Sequence, residues 1–417
     1  MIAKPKLFLV PAYIGSLKYF ARFWPRLQEV YDAEFLFVRG SDQRRVQMVV
    51  YAQQQHLPYR ILDQGLNRTA WWIPVLTPVW KHLRHIQVCR RFMRQEQPVK
   101  IILMKTLPPH DTIVREAARA GVEVIILQWS FHSHDPVFIS ELKTTPPGFL
   151  NYRLIYFKIV TALLWVMDLI FVGAHYLKHY KLPAKIGVFD AAAGEGYAVS
   201  YLFPRERITV VGMADSQIVS ELVEQLKKSP ELGRLWQEKY HLPAANKYIL
   251  IIAHGFHLRS WTGKKLDYQL AYYDQLSKHL KDVASNAAVM IKLHPSDNPA
   301  FYSSLESRGV RVLGDEAKTE ELICLADLIV SGIWTSANYL VTASGRPAIF
   351  ENFTPWPKRN KPMMEHHHIK QVVSDWPLFD RLVREWQRGT LPMQYDEKLI
   401  HRNAINQTVE LINRPTL

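Results

Sequence analysis

Short apolar segments alternate with helix-like patterns along most of this 417-residue chain. Strands of a parallel sheet that are buried on both faces are apolar throughout, and each is joined to its parallel neighbour through a crossover helix. In the first half, the predicted strands lie at residues 7–10, 34–38, 59–62, 99–104 and 122–127. Helical patterns separate these strands, so we expect right-handed βαβ units and a parallel sheet.

A second alternating block begins near Ile208. Its predicted strands lie at residues 208–211, 248–253, 287–291, 310–313, 327–330 and 347–350. Two Rossmann-like domains are the simplest account of two such blocks, and the chain is long enough for two hydrophobic cores. We expect an N-terminal domain over residues 1–205, a second domain over 206–390, and a helical segment over 391–417 that packs back on the first domain.

The chain is strongly basic, with a formal net charge of +14 and a pI near 9.5. This balance favours an anionic partner, which is a nucleotide, a phospholipid surface or a nucleic acid. Nucleic acid is the least expected of the three, because no motif of interleaved aromatic and basic residues typical of nucleic-acid binding is present. The two cysteines, Cys89 and Cys324, indicate no disulfide framework and fit a reducing compartment.

Two stretches bear on membrane association. Residues 155–173 are the most apolar part of the chain, but Lys158 and Asp168 interrupt them, so we predict a helix followed by a strand rather than a membrane span. Residues 68–94 combine aromatic and basic side chains. This pattern suits a helix that rests on lipid headgroups and equally a domain helix with a solvated basic face. With no recognisable secretory signal, we expect a cytoplasmic protein, peripheral at the inner face of the plasma membrane.

Polar side chains follow two predicted strands of the second block. Lys292 and His294 come at the end of the strand at 287–291, and His254 with Gly255 follows the strand at 248–253. Open α/β sheets bind their ligands outside the carboxyl ends of the strands. A lysine, two imidazoles and backbone N–H groups at that edge suit a diphosphate or a leaving nucleotide.

Two further loops carry related chemistry. Thr335 and Ser336 precede a helical pattern, so their hydroxyls either bind an anion at the helix start or only cap the helix. Arg346 precedes the strand at 347–350, and Glu351 at its end is a carboxylate suited to a ribose diol. Together with the first two loops, these residues predict a donor-binding site.

The order of these motifs resembles that of the bacterial polysialyltransferases and CDP-glycerol glycerophosphotransferases. In those families a His-Pro motif is followed by a Ser/Thr pair and a basic-Pro strand start, and the histidine and hydroxyls contact the donor phosphate. The resemblance covers residues 248–351 and implies that role for His294, Thr335 and Ser336. It also implies the GT-B fold, an α/β architecture of two Rossmann-like domains whose parallel sheets face a central cleft.

The chain also resembles the non-hydrolysing UDP-N-acetylglucosamine 2-epimerases, and over more of its length. Asp111 and Thr112 match part of their Gly-Asp-Thr loop, and His254 stands at the start of their His-Arg-Arg-Glu-Asn loop. His294 with Asn298 and the following proline is similar to their His-x-Asn-Pro motif.

The chain departs from the epimerases at positions that their chemistry needs. Gln128 stands where they place a catalytic glutamate, and Tyr339-Leu340 stands where they have a Glu-Glu pair. Epimerisation by elimination requires acids and bases at those points. We therefore expect a shared fold without the epimerase reaction.

The expected function is that of a GT-B glycosyltransferase that uses a nucleotide-activated sugar. Its expected product is a bacterial surface polysaccharide or glycoconjugate, such as capsule or O-antigen, made on a glycan or lipid-linked acceptor at an anionic membrane surface. No Asp-x-Asp metal signature is present, so we expect metal-independent transfer with inversion and no cofactor besides the donor. The alternatives are an epimerase-like enzyme or hydrolase acting on UDP-N-acetylhexosamine, and a non-catalytic nucleotide-sugar-binding protein.

The base that deprotonates the acceptor is expected in the first domain. Asp111, His132 and Asp135 all follow predicted strand ends and are the candidates for this catalytic role. Gly15, in the loop after the first strand, is expected in an acceptor-side loop.

Overall fold

The computed structural model describes residues 3–38, 42–62, 76–104, 110–128, 184–200, 203–254, 266–295, 297–333, 335–353, 364, 368–395, 401 and 403–415. These divide into two compact units, each with its own sheet. The N-terminal unit contains the described residues up to Gln128, from Ala184 to Val211, and from Ile405 onward. The C-terminal unit contains those from Gly212 to Ala404.

The N-terminal unit is built on a seven-stranded sheet whose order is β3-β2-β1-β4-β5-β6-β7. The strands are β1 (Lys6–Val10), β2 (Asp32–Phe37), β3 (Tyr59–Ile61), β4 (Lys100–Leu103), β5 (Glu123–Leu127), β6 (Lys185–Val188) and β7 (Ile208–Val210). The helices are α1 (Ile14–Ala21), α2 (Trp24–Val30), α3 (Asp42–Gln54), α4 (Leu76–Glu96), α5 (His110–Arg119) and α6 (Ala191–Ser200). All these strand pairs are parallel, and the order reverses between β1 and β4.

Strand β6 is not among the strands predicted from the sequence for either block. A Cβ added to Gly187 in β6 would lie 2.8 Å from a Leu127 methyl group and 2.9 Å from a Leu411 methyl group. The glycine therefore lets two leucines pack directly over the strand. Strand β7, which the sequence pattern placed in the second block, pairs with β6 in this sheet.

The C-terminal unit is built on a five-stranded sheet whose order is β10-β9-β8-β11-β12. The strands are β8 (Tyr248–Ile252), β9 (Ala288–Lys292), β10 (Arg311–Leu313), β11 (Leu328–Gly332) and β12 (Ala348–Glu351). The helices are α7 (Ala214–Lys228), α8 (Pro230–Lys239), α9 (Leu266–Val283), α10 (Ser303–Glu306), α11 (Thr319–Leu325), α12 (Asn338–Ser344) and α13 (Trp376–Gln387). All four pairs are parallel, and the order reverses between β8 and β11.

Helices cover this second sheet on both faces. Every residue of β8, Tyr-Ile-Leu-Ile-Ile, is buried, as expected of a strand covered on both sides. One face packs against apolar residues of α9 and α13, among them Leu276 and Phe379. The structure thus has two parallel-sheet α/β domains, which confirms the fold class predicted from the sequence.

The last helix, α14 (Ala404–Asn413), packs against the seven-stranded sheet. The Lys100 ammonium donates to the Ile412 carbonyl and the Lys185 ammonium to the Arg414 carbonyl. Both lysines also pair with Glu123 at 2.9 Å. Cations at the carboxyl end of a helix satisfy its free carbonyl groups and interact favourably with the helix dipole.

Within the described part of the chain, no helix is both long enough and apolar enough to cross a membrane. The apolar stretch at 155–173 lies outside the described residues.

Candidate functional site

The carboxyl edge of the five-stranded sheet collects most of the predicted donor-binding residues. His294 follows β9, His254 follows β8, Thr335 and Ser336 follow β11, and Glu351 ends β12. These four strands are consecutive neighbours in the sheet, and neighbouring strands lie about 4.8 Å apart. The row is centred on the point between β8 and β11 where the strand order reverses, which is the usual ligand position in open α/β sheets.

The centre of this row is a close approach of three residues from three neighbouring strands. A Cβ on Gly332 would lie 1.5 Å from Nε2 of His254, so the imidazole occupies the place of a side chain at that position. On the far side of Gly332, Glu351 Oε1 lies 4.0 Å from the same nitrogen. Both side chains are almost fully buried. The structure therefore brings His254 and Glu351 together across a position that has no side chain.

The surroundings of Glu351 disfavour its ionised form. Burial raises the pKa of the Glu351 carboxyl, and the Tyr272 hydroxyl and the Phe353 N–H partly oppose this effect. The Phe353 N–H donates to Oε2 at 3.0 Å. Because the Glu351 side chain is only 2% exposed, its carboxyl group faces the protein interior and His254 rather than solvent.

The backbone of His254 is held by α9. The His254 N–H donates to the Tyr273 hydroxyl at 2.5 Å, and that hydroxyl donates to the His254 carbonyl at 3.2 Å. Burial raises the pKa of Tyr273 well above its ordinary value, so the hydroxyl keeps its proton. Sequence reasoning missed Tyr273, because nothing in its local pattern distinguishes it from a core tyrosine.

The loop that carries His294 is held by a buried polar cluster. The Asp297 N–H donates to the His294 carbonyl at 2.8 Å and closes a turn. The Asp297 carboxylate accepts from the Tyr302 hydroxyl at 2.5 Å and from the Gln269 amide at 2.7 Å. Lys292 is also buried, and its ammonium donates to the Leu293 carbonyl at 3.0 Å. The imidazole of His294 is partly exposed above this fixed base.

Thr335 and Ser336 do not cap a helix, which corrects one of the two interpretations of this pair. Helix α12 begins at Asn338, and its N-cap is Ala337, with no side-chain cap. The Thr335 hydroxyl accepts from the Ala337 N–H at 3.3 Å. Both side chains are partly exposed after the end of β11.

Asn338 connects this loop to β11. The Ser331 hydroxyl donates to its amide oxygen at 2.7 Å, and its amide nitrogen donates to the Gly332 carbonyl at 3.1 Å. Asn338 is fully buried. The loop of Thr335 and Ser336 is therefore attached to the strand that passes beneath His254.

Arg346 lies at the opposite edge of the sheet from the other donor-binding residues. It precedes β12, and its guanidinium donates to the Cys324 carbonyl at 2.5 Å, near the end of α11. The Tyr395 hydroxyl donates to the Arg346 carbonyl at 2.9 Å. The amino ends of parallel strands share one edge, so the sequence-predicted grouping of Arg346 with His294 does not occur in the fold.

The residues predicted for the acceptor side fall only partly within the described residues. Gly15 lies in the first turn of α1, and the buried Ser16 hydroxyl accepts from the Ala12 and Tyr13 N–H groups at 2.8 and 3.0 Å. Asp111 lies at the start of α5, and its side chain is outside the described part. His132, Asp135 and Gly255 are also outside it.

Gln128 has a structural role at the end of β5. Its amide oxygen accepts from the Phe189 N–H at 2.8 Å and joins β5 to the end of β6. The side chain is buried. In the described ranges, no group of three or more histidine, cysteine, aspartate or glutamate side chains is arranged to hold a metal ion.

Comparison with known proteins shows similarity in structure but not in sequence. No protein-family model and no curated protein match the chain. The UDP-GlcNAc 2-epimerase from Neisseria meningitidis, bound to UDP-GlcNAc, is similar with a TM-score of 0.59 at 14% identity, covering 98% of this chain and 99% of that one. A glycosyltransferase from Rickettsia africae has a TM-score of 0.51 at 12% identity, covering 99% and 100%. The glycotransferase of kitacinnamycin has a TM-score of 0.57 at 12% identity, covering 99% of each chain.

At these identities the likeness shows the fold alone. The chain shares the two-domain GT-B architecture, as the sequence predicts, with glycosyltransferases and with UDP-GlcNAc 2-epimerases. The narrower resemblance to polysialyltransferases and glycerophosphotransferases remains a prediction.

Proposed function

We propose that this protein is a glycosyltransferase that binds a nucleotide-activated sugar at the carboxyl edge of its five-stranded sheet. The observation that carries the proposal is the row formed by His294, His254, Thr335 and Ser336 on three neighbouring strand ends at the reversal of strand order. Hydroxyl and imidazole groups can donate hydrogen bonds to phosphate oxygens, and here they would do so without any movement of the backbone.

In the proposed mechanism, the residues of this row bind the phosphates of the donor, which form the leaving group. His294 and the Thr335 and Ser336 hydroxyls donate to the phosphate oxygens as negative charge develops during cleavage of the glycosidic bond. Donors held in place before the reaction stabilise that charge at little reorganisation cost, and a single one is typically worth about 10²–10³ in rate. The polar cluster around Asp297 supports the proposal because it holds the His294 loop in one position.

A base from residues 1–205 would deprotonate the acceptor hydroxyl. Asp111, His132 and Asp135 remain the candidates, and direct attack by the acceptor gives inversion at the anomeric carbon. The transfer is proposed to need no metal ion and no cofactor besides the donor.

The proposed product is a bacterial surface polysaccharide or glycoconjugate made at the inner face of the plasma membrane. The net charge of +14 supports this location, as do the exposed side chains of Arg84, Arg91 and Arg94 on α4. Attraction between these basic side chains and anionic lipids would bring the protein to a lipid-linked acceptor at that surface.

Epimerisation of a UDP-N-acetylhexosamine is the second candidate, because a UDP-GlcNAc 2-epimerase is among the structural neighbours. The position of Gln128 argues against this reaction. An amide cannot act as the acid or base that the epimerases have there, and this amide is engaged with Phe189.

One series of measurements tests the proposal. The purified protein is screened for thermal stabilisation by UDP-, CDP-, GDP- and CMP-activated sugars, with the free sugar phosphates as controls. The stabilising donor is then incubated with glycan and lipid-linked acceptors, and the products are analysed by mass spectrometry. A transferred sugar is the expected result. A 2-epimer without transfer would establish the second candidate, and stabilisation without any product would establish a binding protein.

A further inference from the structure

We propose that Glu351 is a positioning residue that acts through His254: reaching across Gly332, its carboxylate orients the imidazole and stabilises its protonated form. The proposal concerns the site of the proposed function and rests on it for the effect on catalysis. It replaces the expectation that Glu351 holds a donor ribose.

The Glu351 carboxylate is poorly accessible to a donor ribose. A ribose diol would have to reach the two carboxylate oxygens, yet the side chain of Glu351 is only 2% exposed. Oε2 already accepts from the Phe353 N–H at 3.0 Å, and Oε1 faces His254 Nε2 at 4.0 Å. The imidazole therefore stands on the side from which a ligand oxygen would approach.

The space at a single position, Gly332, lets the two groups approach each other. Glu351 is the register partner of Gly332 on β12, so any side chain at 332 would separate the carboxylate from the imidazole. A Cβ there would lie 1.5 Å from Nε2. The pairing thus depends on one glycine between two buried ionisable groups.

The ionisable groups around Glu351 also favour its pairing with His254. Among the described residues, His254 Nε2 is the only ionisable nitrogen within 4.0 Å of a Glu351 oxygen. The other titratable groups that face Glu351 are Tyr268, Tyr272 and Tyr273 of α9, and burial raises the pKa of each of them. They remain neutral in the physiological range, so within the described part of the chain an imidazolium is the counter-charge that faces the carboxylate.

Burial by itself favours the neutral form of the Glu351 carboxyl, and a positive charge on His254 would offset this effect. When His254 is protonated, the ionised carboxylate offsets the burial of both charges, and interacting groups of this kind titrate together. An imidazolium beside the proposed phosphate row would add a positive charge where the leaving group departs.

The experiment measures the imidazole titration directly by NMR on protein labelled with ¹⁵N-histidine, in the wild type and in Glu351→Gln. The His254 signal is assigned by its loss in His254→Gln. In Glu351→Gln we expect the His254 titration midpoint to fall by about one pH unit or more, the lower end of the effect of a nearby opposite charge. The His294 midpoint serves as the internal control and should not move, because β9 lies one strand further from β12 than β8 does.

Kinetics then separate the two roles of Glu351. If it positions His254, Glu351→Gln shifts the pH profile of kcat and leaves KM for the donor unchanged. An unchanged His254 midpoint together with a raised KM would overturn the proposal in favour of ribose binding. Because the NMR measurement needs no substrate, a protein with no transferase activity but a shifted midpoint would refute the proposed function and not this pairing.

A reciprocal measurement covers the case in which Glu351→Gln does not fold. In His254→Gln, the midpoint of the Glu351 carboxyl titration, followed by ¹³C NMR, should rise because the counter-charge is lost. A midpoint equal to that of the wild type would overturn the proposal.

Discussion

The imidazole of His254 occupies the space above Gly332 that a side chain on the neighbouring strand would fill. The side chain that follows β8 therefore fits the space left by the glycine at the end of β11. No substitution larger than glycine fits at position 332 unless His254 moves.

We predict that Gly332→Ala destabilises the protein and reduces donor binding. The new Cβ would displace a buried imidazole, and overpacking of this kind typically costs about 1–3 kcal/mol. Chemical denaturation gives the change in the free energy of unfolding. The matched control is His254→Ala, in whose background the same glycine substitution should cost much less, because the imidazole is gone. An equal loss of unfolding free energy in both backgrounds would contradict the contact between Gly332 and the His254 imidazole.

His294→Ala should lower turnover by about 10²–10³ while leaving the fold intact, because it removes one donor to the departing phosphate. Thermal unfolding should change little, since the backbone of the loop is held by Asp297, whose N–H donates to the His294 carbonyl and whose carboxylate accepts from Tyr302. His241→Asn, an exposed histidine at positive φ in the same unit, is the control for removing a histidine. Normal turnover of a folded His294→Ala protein would remove His294 from the mechanism.

Replacing both Thr335 and Ser336 with alanine should weaken nucleotide binding with little loss of stability. Helix α12 starts at Asn338 without a side-chain cap, so the roughly 1 kcal/mol that a lost cap typically costs is not expected. Calorimetric titration with the nucleotide and denaturation of the free protein measure the two effects. Unchanged affinity would exclude the hydroxyls from the site.

The basic face of α4 should bind anionic liposomes at low salt and release them as salt screens the attraction. Substituting Arg84, Arg91 and Arg94 with glutamine should reduce this binding in a sedimentation assay without changing stability. Arg90 is the control, because its guanidinium pairs with the buried Glu116 at 2.7 Å. Arg90→Gln should lower the free energy of unfolding but leave liposome binding nearly unchanged. If the wild type does not bind anionic liposomes, its positive charge serves an anionic partner other than a lipid surface.

Both cysteine thiols should be inert in the native protein. Cys89 and Cys324 are fully buried, and burial raises the pKa of the Cys324 thiol to about 12. The unfolded thiol ionises near pH 8.5, so this group's contribution to stability is complete below that pH and is lost as the pH rises further. A thiol reagent at pH 8 should modify no cysteine in the native state and two in denaturant. Rapid native labelling of Cys324 would contradict its burial.

Much of the fold follows from local patterns. Strands β8 and β9 are short and apolar except for Lys292 at the end of β9. They pair in parallel, as the alternation of strands and helices predicts. Strand β6 was missed because Gly187 reads locally as a loop residue. Only the packing of Leu127 and Leu411 over it shows why a glycine belongs in that strand.

Local sequence patterns were enough to predict that His254, Lys292 and His294 follow buried strands, because strand burial and strand ends are properties of a few consecutive residues. Which strand ends become neighbours depends on the three-dimensional fold. The order β9-β8-β11-β12 brings Glu351 across Gly332 to His254, and the parallel direction of β12 puts Arg346 at the other edge. Strand order depends on the helices that cross between strands and on the side chains they bury, and no short stretch of sequence contains that information.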